Sequence, residues 1–160
     1  GNTKTLGVGV NMQENLRADM NFLEAFHKET GFKVARRISE RAAELGRSLD
    51  VLIEVNTSGE ESKHGYAVDA LDIIEADLYQ MLDLSSVRVC GLMTMAPYMA
   101  GEAVIRGAFQ RLRTLQDTLN TRFPRLDFTE LSMGMSGDFE TGIQEGATLV
   151  RIGTAILGAR

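Results

Sequence analysis

Hydroxyl groups, glycines and one arginine lie close together near the C-terminus, in a pattern that could bind an anion. Ser136 lies in a glycine-containing turn, and Gly153 and Thr154 come shortly after Arg151. Backbone N–H groups at the start of a helix lack partners and bind phosphate or sulfate. We therefore predict an anion site at Ser136, Gly153 and Thr154, with Ser136 as the N-cap of a helix that runs through Ile143.

Arg151 is the residue of this group that most needs a partner. It lies within an apolar segment that is typical of a strand, and strand alternation places its side chain on the same side as Gly153. An arginine directed into the interior of a parallel sheet is costly unless it is paired. The alternative is an outward arginine that forms a salt bridge with a helix.

The elements that must position these residues alternate along the chain. Apolar runs rich in β-branched residues predict strands, and the segments between them carry apolar residues at helical spacing. The predicted strands are 49–56, 87–94, 128–132 and 148–152, and the predicted helical stripes are 34–45, 70–82 and 104–119. This alternation, with a period of roughly 40 residues, indicates an α/β fold with a parallel sheet. The sheet could be open and doubly wound or closed as a barrel.

Both architectures bind their ligands at the carboxyl ends of the strands. The segments that follow the predicted strands are rich in hydroxyls and glycines, and they span 56–63, 94–97, 132–138 and 153–155. Each segment alone is typical of a turn. Together, the last two match the phosphate site that a barrel commonly forms after its seventh and eighth strands.

The composition limits the classes of function. The chain has 17 Lys and Arg against 22 Asp and Glu, a net charge of −5, so nucleic acid is not a default partner. Cys90 is the only cysteine, which predicts a buried thiol and no internal disulfide. No apolar stretch reaches the roughly 18 residues of a membrane span, and the N-terminus has no signal-peptide pattern. We expect a cytoplasmic protein without a membrane partner, and His27 and His64 lie in no metal-ligand pattern.

Several motifs together resemble one known family. The segments 131–138 (LSMGMSGD) and 146–160 (GATLVRIGTAILGAR) are similar to the C-terminal signature of the YggS/PROSC family of pyridoxal 5′-phosphate (PLP) binding proteins. The segments 55–65 (VNTSGEESKHG) and 91–95 (GLMTM) resemble two more of its motifs, in the family's order and spacing. The resemblance implies a (βα)8 TIM-barrel-type fold like that of the N-terminal domain of alanine racemase, with PLP as the cofactor.

The resemblance also implies roles for individual residues. Ser136, Gly153 and Thr154 resemble the family's phosphate binders, and Arg151 resembles the partner of the pyridine nitrogen. The remaining pocket residues that it implies are Asn56 and Met133. An arginine beside the pyridine nitrogen disfavours its protonated form and weakens the electron sink that amino-acid chemistry needs. The resemblance therefore implies a carrier in PLP homeostasis that is not an efficient catalyst.

The resemblance is close over 33–160 and thin over 1–32, although 1–160 fits a single domain. When the chain is aligned with the family's motifs, 6–9 corresponds to the family's third strand. The barrel is therefore expected to be incomplete, with about six strands. The family's covalent lysine follows its first strand, and Lys4 is only a faint match because no apolar strand precedes it. Lys63 resembles a different family lysine, or it is a surface lysine paired with Glu60 or Glu61. Open sheet edges could pair two copies into a homodimer.

Two other functions stay open. The first is a PLP-dependent racemase-like enzyme, which needs the covalent lysine and a second acid/base residue, usually Tyr or Cys. Tyr66, Tyr79 and Tyr98 match no such pattern. The second is a barrel remnant that binds only phosphate-like anions at the Ser136 and Thr154 site.

Overall fold

The computed structural model describes residues 8–10, 31–60, 64–153, 156 and 158, and for 8–10 it describes the backbone alone. The strands are β1 (Val8–Val10), β2 (Leu49–Asn56), β3 (Tyr66–Ala67), β4 (Val87–Met93), β5 (Glu130–Met135) and β6 (Leu149–Arg151). The helices are α1 (Gly31–Glu44), α2 (Leu71–Met81), α3 (Glu102–Arg122) and α4 (Phe139–Gln144). Lys4, Lys63 and Thr154 lie outside the described residues.

The sheet confirms the predicted parallel α/β architecture. Its strands lie in the order β1-β2-β4-β5-β6, and β2, β4, β5 and β6 run parallel to one another. A helix lies between each of these four strands and the next along the chain. Because every new strand is added on the same side, the order is that of a singly wound barrel and lacks the reversal of a doubly wound sheet. Within the described residues the barrel is incomplete.

The first strand differs from its prediction in direction. Val8–Val10 forms a strand close to the predicted segment 6–9, but it runs antiparallel to β2, with Val8 opposite Ile53 and Val10 opposite Val51. Antiparallel edge strands are common on otherwise parallel sheets. The direction depends on the path of the connecting chain, which the hydrophobic pattern of the strand does not specify.

The main core lies between the sheet and its helices. Alternate residues of β2 point towards the helices, and so do Leu92 of β4 and Leu131 of β5. These strand residues pack against the apolar stripes of the helices, including Val34, Ile38, Ile74, Leu78, Phe109, Leu112 and Leu119. The predicted stripes of α1, α2 and α3 are therefore confirmed. Two residues of these stripes are exceptions: Leu45 follows the end of α1 and is 45% exposed, and Val104 lies in the first turn of α3 and is 52% exposed.

The opposite face of the sheet carries a second, smaller apolar cluster. Leu52, Cys90 and Met93 are buried there, and Leu149 of β6 packs against them. Cys90 is the extra residue of a β-bulge, because Val51 pairs with Val89 whereas Leu52 pairs with Gly91. The predicted burial of Cys90 is confirmed, and this burial raises the pKa of its thiol. In a barrel this face is the interior, and we call it the inner face.

Two glycines, one after a helix and one within a strand, show how this residue shapes the fold. Helix α1 ends before Gly46, which has a φ of 61° and donates its N–H to Ala43 O at 3.0 Å, while Arg47 N donates to Ala42 O at 2.9 Å. A glycine in this left-handed conformation is a common helix terminator. Gly91 lies where β4 and β5 approach closely, and a Cβ atom there would be 1.9 Å from Glu130 O.

None of the helices in the described part of the chain is long and apolar enough to cross a membrane. Among the same residues, no group of three or more His, Cys, Asp or Glu side chains could hold a metal ion.

Candidate functional site

Arg151 lies at the end of β6 and directs its guanidinium across the carboxyl ends of the neighbouring strands. Its Nη1 donates to Ser132 O at 3.1 Å and to Ser132 Oγ at 2.5 Å. Its Nη2 donates to Thr94 O at 2.9 Å. The inward position predicted for Arg151 is therefore observed, and the side chain is paired with the ends of β4 and β5.

The surroundings of Arg151 are partly buried and carry two acidic groups. Burial lowers the pKa of the guanidinium below its ordinary value, and the negative charges of Glu54 and Asp138 oppose that shift. An arginine keeps its charge in spite of such a shift, because its ordinary pKa is above about 12. The site therefore holds a fixed positive charge at the carboxyl end of the sheet.

Ser136 and Gly153 meet at the same end of the sheet, as the sequence predicts. Gly153 N donates to Ser136 Oγ at 3.1 Å, which joins the turn after β5 to the residues that follow β6. Ile156 N donates to Gly153 O at 3.0 Å. Two groups of the predicted anion site, the Ser136 hydroxyl and the Gly153 N–H, are thus in contact.

The N-cap of α4 is Asp138, and the prediction that Ser136 has this role is wrong. The helix begins at Phe139, and Asp138 Oδ1 accepts a hydrogen bond from Met135 N at 2.6 Å. Both residues are good N-caps by type, so the sequence did not distinguish them. The shift leaves Ser136 within the turn, where its hydroxyl bonds Gly153.

Asn56 ends β2 and organises the loop that follows it. Its Oδ1 accepts hydrogen bonds from Ser58 N at 3.2 Å and Gly59 N at 3.1 Å, and its Nδ2 donates to Glu60 O at 2.8 Å. This arrangement is an Asx turn, which is a common structural role of asparagine in loops. Asn56 lies at the correct end of the sheet, and its amide group is used to shape the loop.

Met133 is not brought together with the other predicted site residues. Its side chain is fully buried in the core between the sheet and the helices, in the same cluster as Leu131. Ser132, which lies between these two residues in β5, points to the inner face and bonds Arg151. We therefore leave Met133 out of the pocket and include Ser132.

A partly buried network that the sequence did not reveal connects the loops of the site. Arg111 of α3 donates from Nε and Nη2 to Thr57 O, at 2.9 and 2.6 Å. The hydroxyls of Thr57 and Thr94 lie 2.9 Å apart, and Thr94 Oγ1 donates to Val55 O at 2.7 Å. Because Thr94 O also accepts from Arg151, the network fixes the loops after β2 and β4 relative to the guanidinium.

Glu54 is a second residue that the prediction of the site missed. It lies in β2 and is 1% exposed, and its Oε2 has no hydrogen-bond partner within the described structure. Burial raises the pKa of Glu54 to about 7, and the positive charge of Arg151 acts in the opposite direction. The available signal was an acidic residue within the apolar run of 49–56.

The sequence of the chain matches a family model over most of its length. Residues 31–160 match the model described as alanine racemase, N-terminal domain. The chain belongs to this family.

Curated relatives are similar to the chain over most of its length. It is 44% identical over 128 residues to the pyridoxal phosphate homeostasis protein of Aquifex aeolicus, covering 79% of this chain and 54% of that protein. It is 40% identical over 138 residues to the protein of the same name from Escherichia coli K12, covering 84% of this chain and 55% of that protein. The chain thus spans about half the length of the curated relatives it matches.

Solved structures of the family have the same fold. PipY of Synechococcus elongatus, in a structure with PLP bound, superposes with a TM-score of 0.70 at 35% identity, covering 79% of this chain and 57% of that chain. An alanine racemase from Clostridium difficile superposes with a TM-score of 0.63, covering 81% of this chain and 34% of that chain. At 14% identity, this similarity shows the fold alone. The resemblance to the YggS/PROSC family is confirmed.

Proposed function

We propose that this protein binds pyridoxal 5′-phosphate and serves in PLP homeostasis as a carrier of the cofactor. The observation that carries the proposal is the pairing of Arg151 with Ser132 and Thr94 beside the contact between Gly153 and Ser136. A fixed cation and a turn with hydroxyl and N–H groups suit a ligand that has both a phosphate and a polar ring. The names of the relatives and the PLP-bound PipY support the same ligand.

The residues fit PLP in two places. Ser136 and Gly153 would hold its phosphate, and Thr154, which lies outside the described residues, would join them by its position in the sequence. Arg151 would lie towards the ring, with Asn56 at the mouth of the pocket. Bound PLP supplies an electron sink and an aldehyde that reacts with amines. A permanent positive charge beside a pyridine nitrogen opposes its protonation, which favours carrying PLP over amino-acid catalysis.

A PLP titration followed by absorbance tests the proposal. A saturable spectral change, weakened by inorganic phosphate as a competitor, is the expected result. Borohydride reduction and peptide mapping would then show whether a lysine, including Lys4 or Lys63, binds PLP covalently. Binding of phosphate without any binding of PLP would instead support an anion-binding remnant. Conversion of L-alanine to D-alanine with added PLP would support the racemase-like alternative.

We also propose that 1–160 acts as a single PLP-binding domain in the cytoplasm and that two copies associate through sheet edges. The single cysteine is buried and free, as is usual for proteins of reducing compartments. Strand β6 pairs only with β5 among the described strands, so one of its edges is open to a second copy. Light scattering after size exclusion gives the mass directly, and a monomer at all concentrations would contradict the dimer.

A further inference from the structure

Glu54 lies on the inner face of the sheet, on the same side as Arg151. In β2, Val51, Ile53 and Val55 point to the helices, whereas Leu52 belongs to the inner-face cluster, so alternation puts Glu54 on the inner face. In β6, Leu149 packs on that same cluster, which puts Arg151 there too. The side chains of Glu54 and Arg151, which have opposite charges when ionised, thus project from the same face of the sheet as the inner-face apolar cluster.

The carboxyl group of Glu54 is enclosed but incompletely bonded. Gly65 packs against it so closely that a Cβ atom there would be 3.0 Å from Glu54 Cγ and 2.6 Å from Glu54 O. The side chain is almost fully buried, and the described residues give Oε2 no partner. A buried polar atom without a hydrogen bond destabilises a protein, so such atoms at functional sites call for a specific explanation. A ligand that supplies the missing hydrogen bond would be such an explanation.

The groups around Glu54 show which ligand chemistry would suit it. On β4, Met93 lies opposite it and Cys90 lies deeper, and neither carries a charge. On β5, Ser132 is neutral, and on β6, Arg151 is the charged group that acts on it among the described residues. Asp138 acts on Arg151 in turn. Three of the five N–H donors of Arg151 go to Ser132 and Thr94, so a polar ring could meet the guanidinium and the carboxyl group together.

We propose that Glu54 is a ligand-contacting residue that selects for the ring of the bound cofactor, through one hydrogen bond between Oε2 and a polar group of the ring. This inference rests on the proposed binding of PLP. A protonated Glu54 donates this hydrogen bond to an unprotonated ring atom, because the positive charge of Arg151 disfavours a protonated ring. The complex therefore holds one proton that Glu54 loses at high pH.

The proton of Glu54 makes the affinity for PLP depend on pH. Glu54 has a pKa of about 7 in the protein without ligand, so its protonated fraction falls about tenfold between pH 6 and pH 8. The ionisation of the ligand's phosphate and ring adds a further dependence that any variant shares. Glu54→Gln keeps the size of the side chain and supplies both a donor and an acceptor at every pH.

The experiment compares dissociation constants for PLP and for inorganic phosphate from pH 6 to pH 8, in the wild type and in Glu54→Gln. We expect the affinity of the wild type for PLP to fall about tenfold more than that of Glu54→Gln over this range. Phosphate should bind both proteins equally, because Ser136 and Gly153 are unchanged. Glu44→Gln, an exposed exchange of the same kind, is the control and should behave as the wild type.

A second measurement needs no variant. Calorimetry of the wild type at pH 8 in two buffers of different ionisation enthalpy should show that PLP binding takes up one proton more than phosphate binding. Equal pH profiles for the wild type and Glu54→Gln, with PLP bound by both, would overturn the role of Glu54 and leave the proposed function intact. Phosphate binding without PLP binding in the wild type would overturn both.

Discussion

The guanidinium of Arg151 reaches over β5 to donate a hydrogen bond to the main-chain oxygen of Thr94 at 2.9 Å. Arg151 ends β6, and Thr94 follows β4 directly, so one side chain connects strands that are not neighbours. The intermediate strand contributes Ser132, which the same guanidinium bonds through its hydroxyl. One side chain therefore connects β4, β5 and β6, and these hydrogen bonds hold the positive charge of the site in place.

Replacing Arg151 should weaken both the fold and the site. Arg151→Lys keeps the charge but loses the planar fork, so it cannot make the three hydrogen bonds to Ser132 and Thr94. We expect a loss of about 1–3 kcal/mol in the free energy of unfolding, measured by urea denaturation. We also expect PLP to bind at least about tenfold more weakly, since one lost hydrogen bond has that effect.

Arg88→Lys is the matched control for this variant. Arg88 makes a two-bond contact with Asp50, at 2.8 and 2.6 Å, but both side chains are exposed. An exposed ion pair contributes at most about 1 kcal/mol, so Arg88→Lys should lower stability less than Arg151→Lys and leave PLP binding unchanged. Equal effects of the two substitutions would mean that Arg151 has no special role.

The close approach of β4 and β5 predicts that Gly91 cannot carry a side chain. A Cβ atom at this position would be 1.9 Å from Glu130 O, which is a backbone atom that cannot move without breaking the sheet. Gly91→Ala should therefore destabilise the protein by more than about 3 kcal/mol or prevent folding. Gly101→Ala is the comparison, because a Cβ atom there meets nothing within 4 Å. Thermal denaturation measures the melting temperatures of both variants, and Gly91→Ala should melt at a clearly lower temperature than Gly101→Ala. Similar melting temperatures would contradict the close packing of β4 and β5.

The order of strands and helices follows from the sequence because apolar runs and helical stripes are local patterns. The helix over Leu71–Met81 and the strand over Leu49–Asn56 agree with the predictions to within a residue or two. The strand predicted at 128–132 lies at Glu130–Met135, because glycine and methionine within it weaken the strand signal. The direction of β1 depends on long-range contacts and could not be predicted.

The site was predictable where the chemistry is carried by residue type and less so where it depends on contacts. Ser136, Gly153 and Arg151 come together as expected because strand ends meet at one edge of the sheet. Met133 was assigned to the pocket by resemblance, yet alternation in β5 turns its side chain to the helices. Arg111 lies far from the site in sequence, and only the packing of α3 brings it to Thr57 O.

A partly buried ion pair between α3 and the residue after α4 should contribute to the pH dependence of stability in acid. Glu145 is 5% exposed and accepts a hydrogen bond from Arg106 Nη1 at 2.7 Å, which lowers the pKa of Glu145 below its ordinary value. A carboxyl group with a lowered pKa stabilises the fold above its unfolded pKa and loses that effect as pH falls through its folded pKa. Glu145→Gln should therefore be less stable than the wild type at pH 7, and the difference should shrink as the pH falls well below 4.

The control is Glu40→Gln, which alters an exposed pair with Arg36. Its unfolding midpoint should follow that of the wild type at every pH. Urea denaturation from pH 3 to pH 7 measures both variants. A constant difference between Glu145→Gln and the wild type over that range would show that the ion pair does not titrate as described.

Glu54 should give the protein without ligand the opposite dependence on pH. Its pKa is raised by burial from 4.5 to about 7, so the folded state binds more protons than the unfolded state between these values. The free energy of unfolding then decreases as pH rises from about 4.5 to about 7, by at most about 3 kcal/mol, and is level above that range. Glu54→Gln cannot ionise and should lack this decrease, so it should be more stable than the wild type at pH 8.

Chemical denaturation at pH 5 and pH 8, without PLP or phosphate, isolates this effect, because Glu145 titrates below this range. We expect Glu54→Gln and the wild type to be nearly equal at pH 5 and to differ by about 1–3 kcal/mol at pH 8. Saturating PLP should then reduce the difference at pH 8, because the ligand supplies the hydrogen bond that Oε2 lacks. Equal stabilities at both pH values would mean that the carboxyl group of Glu54 is solvated in the folded protein.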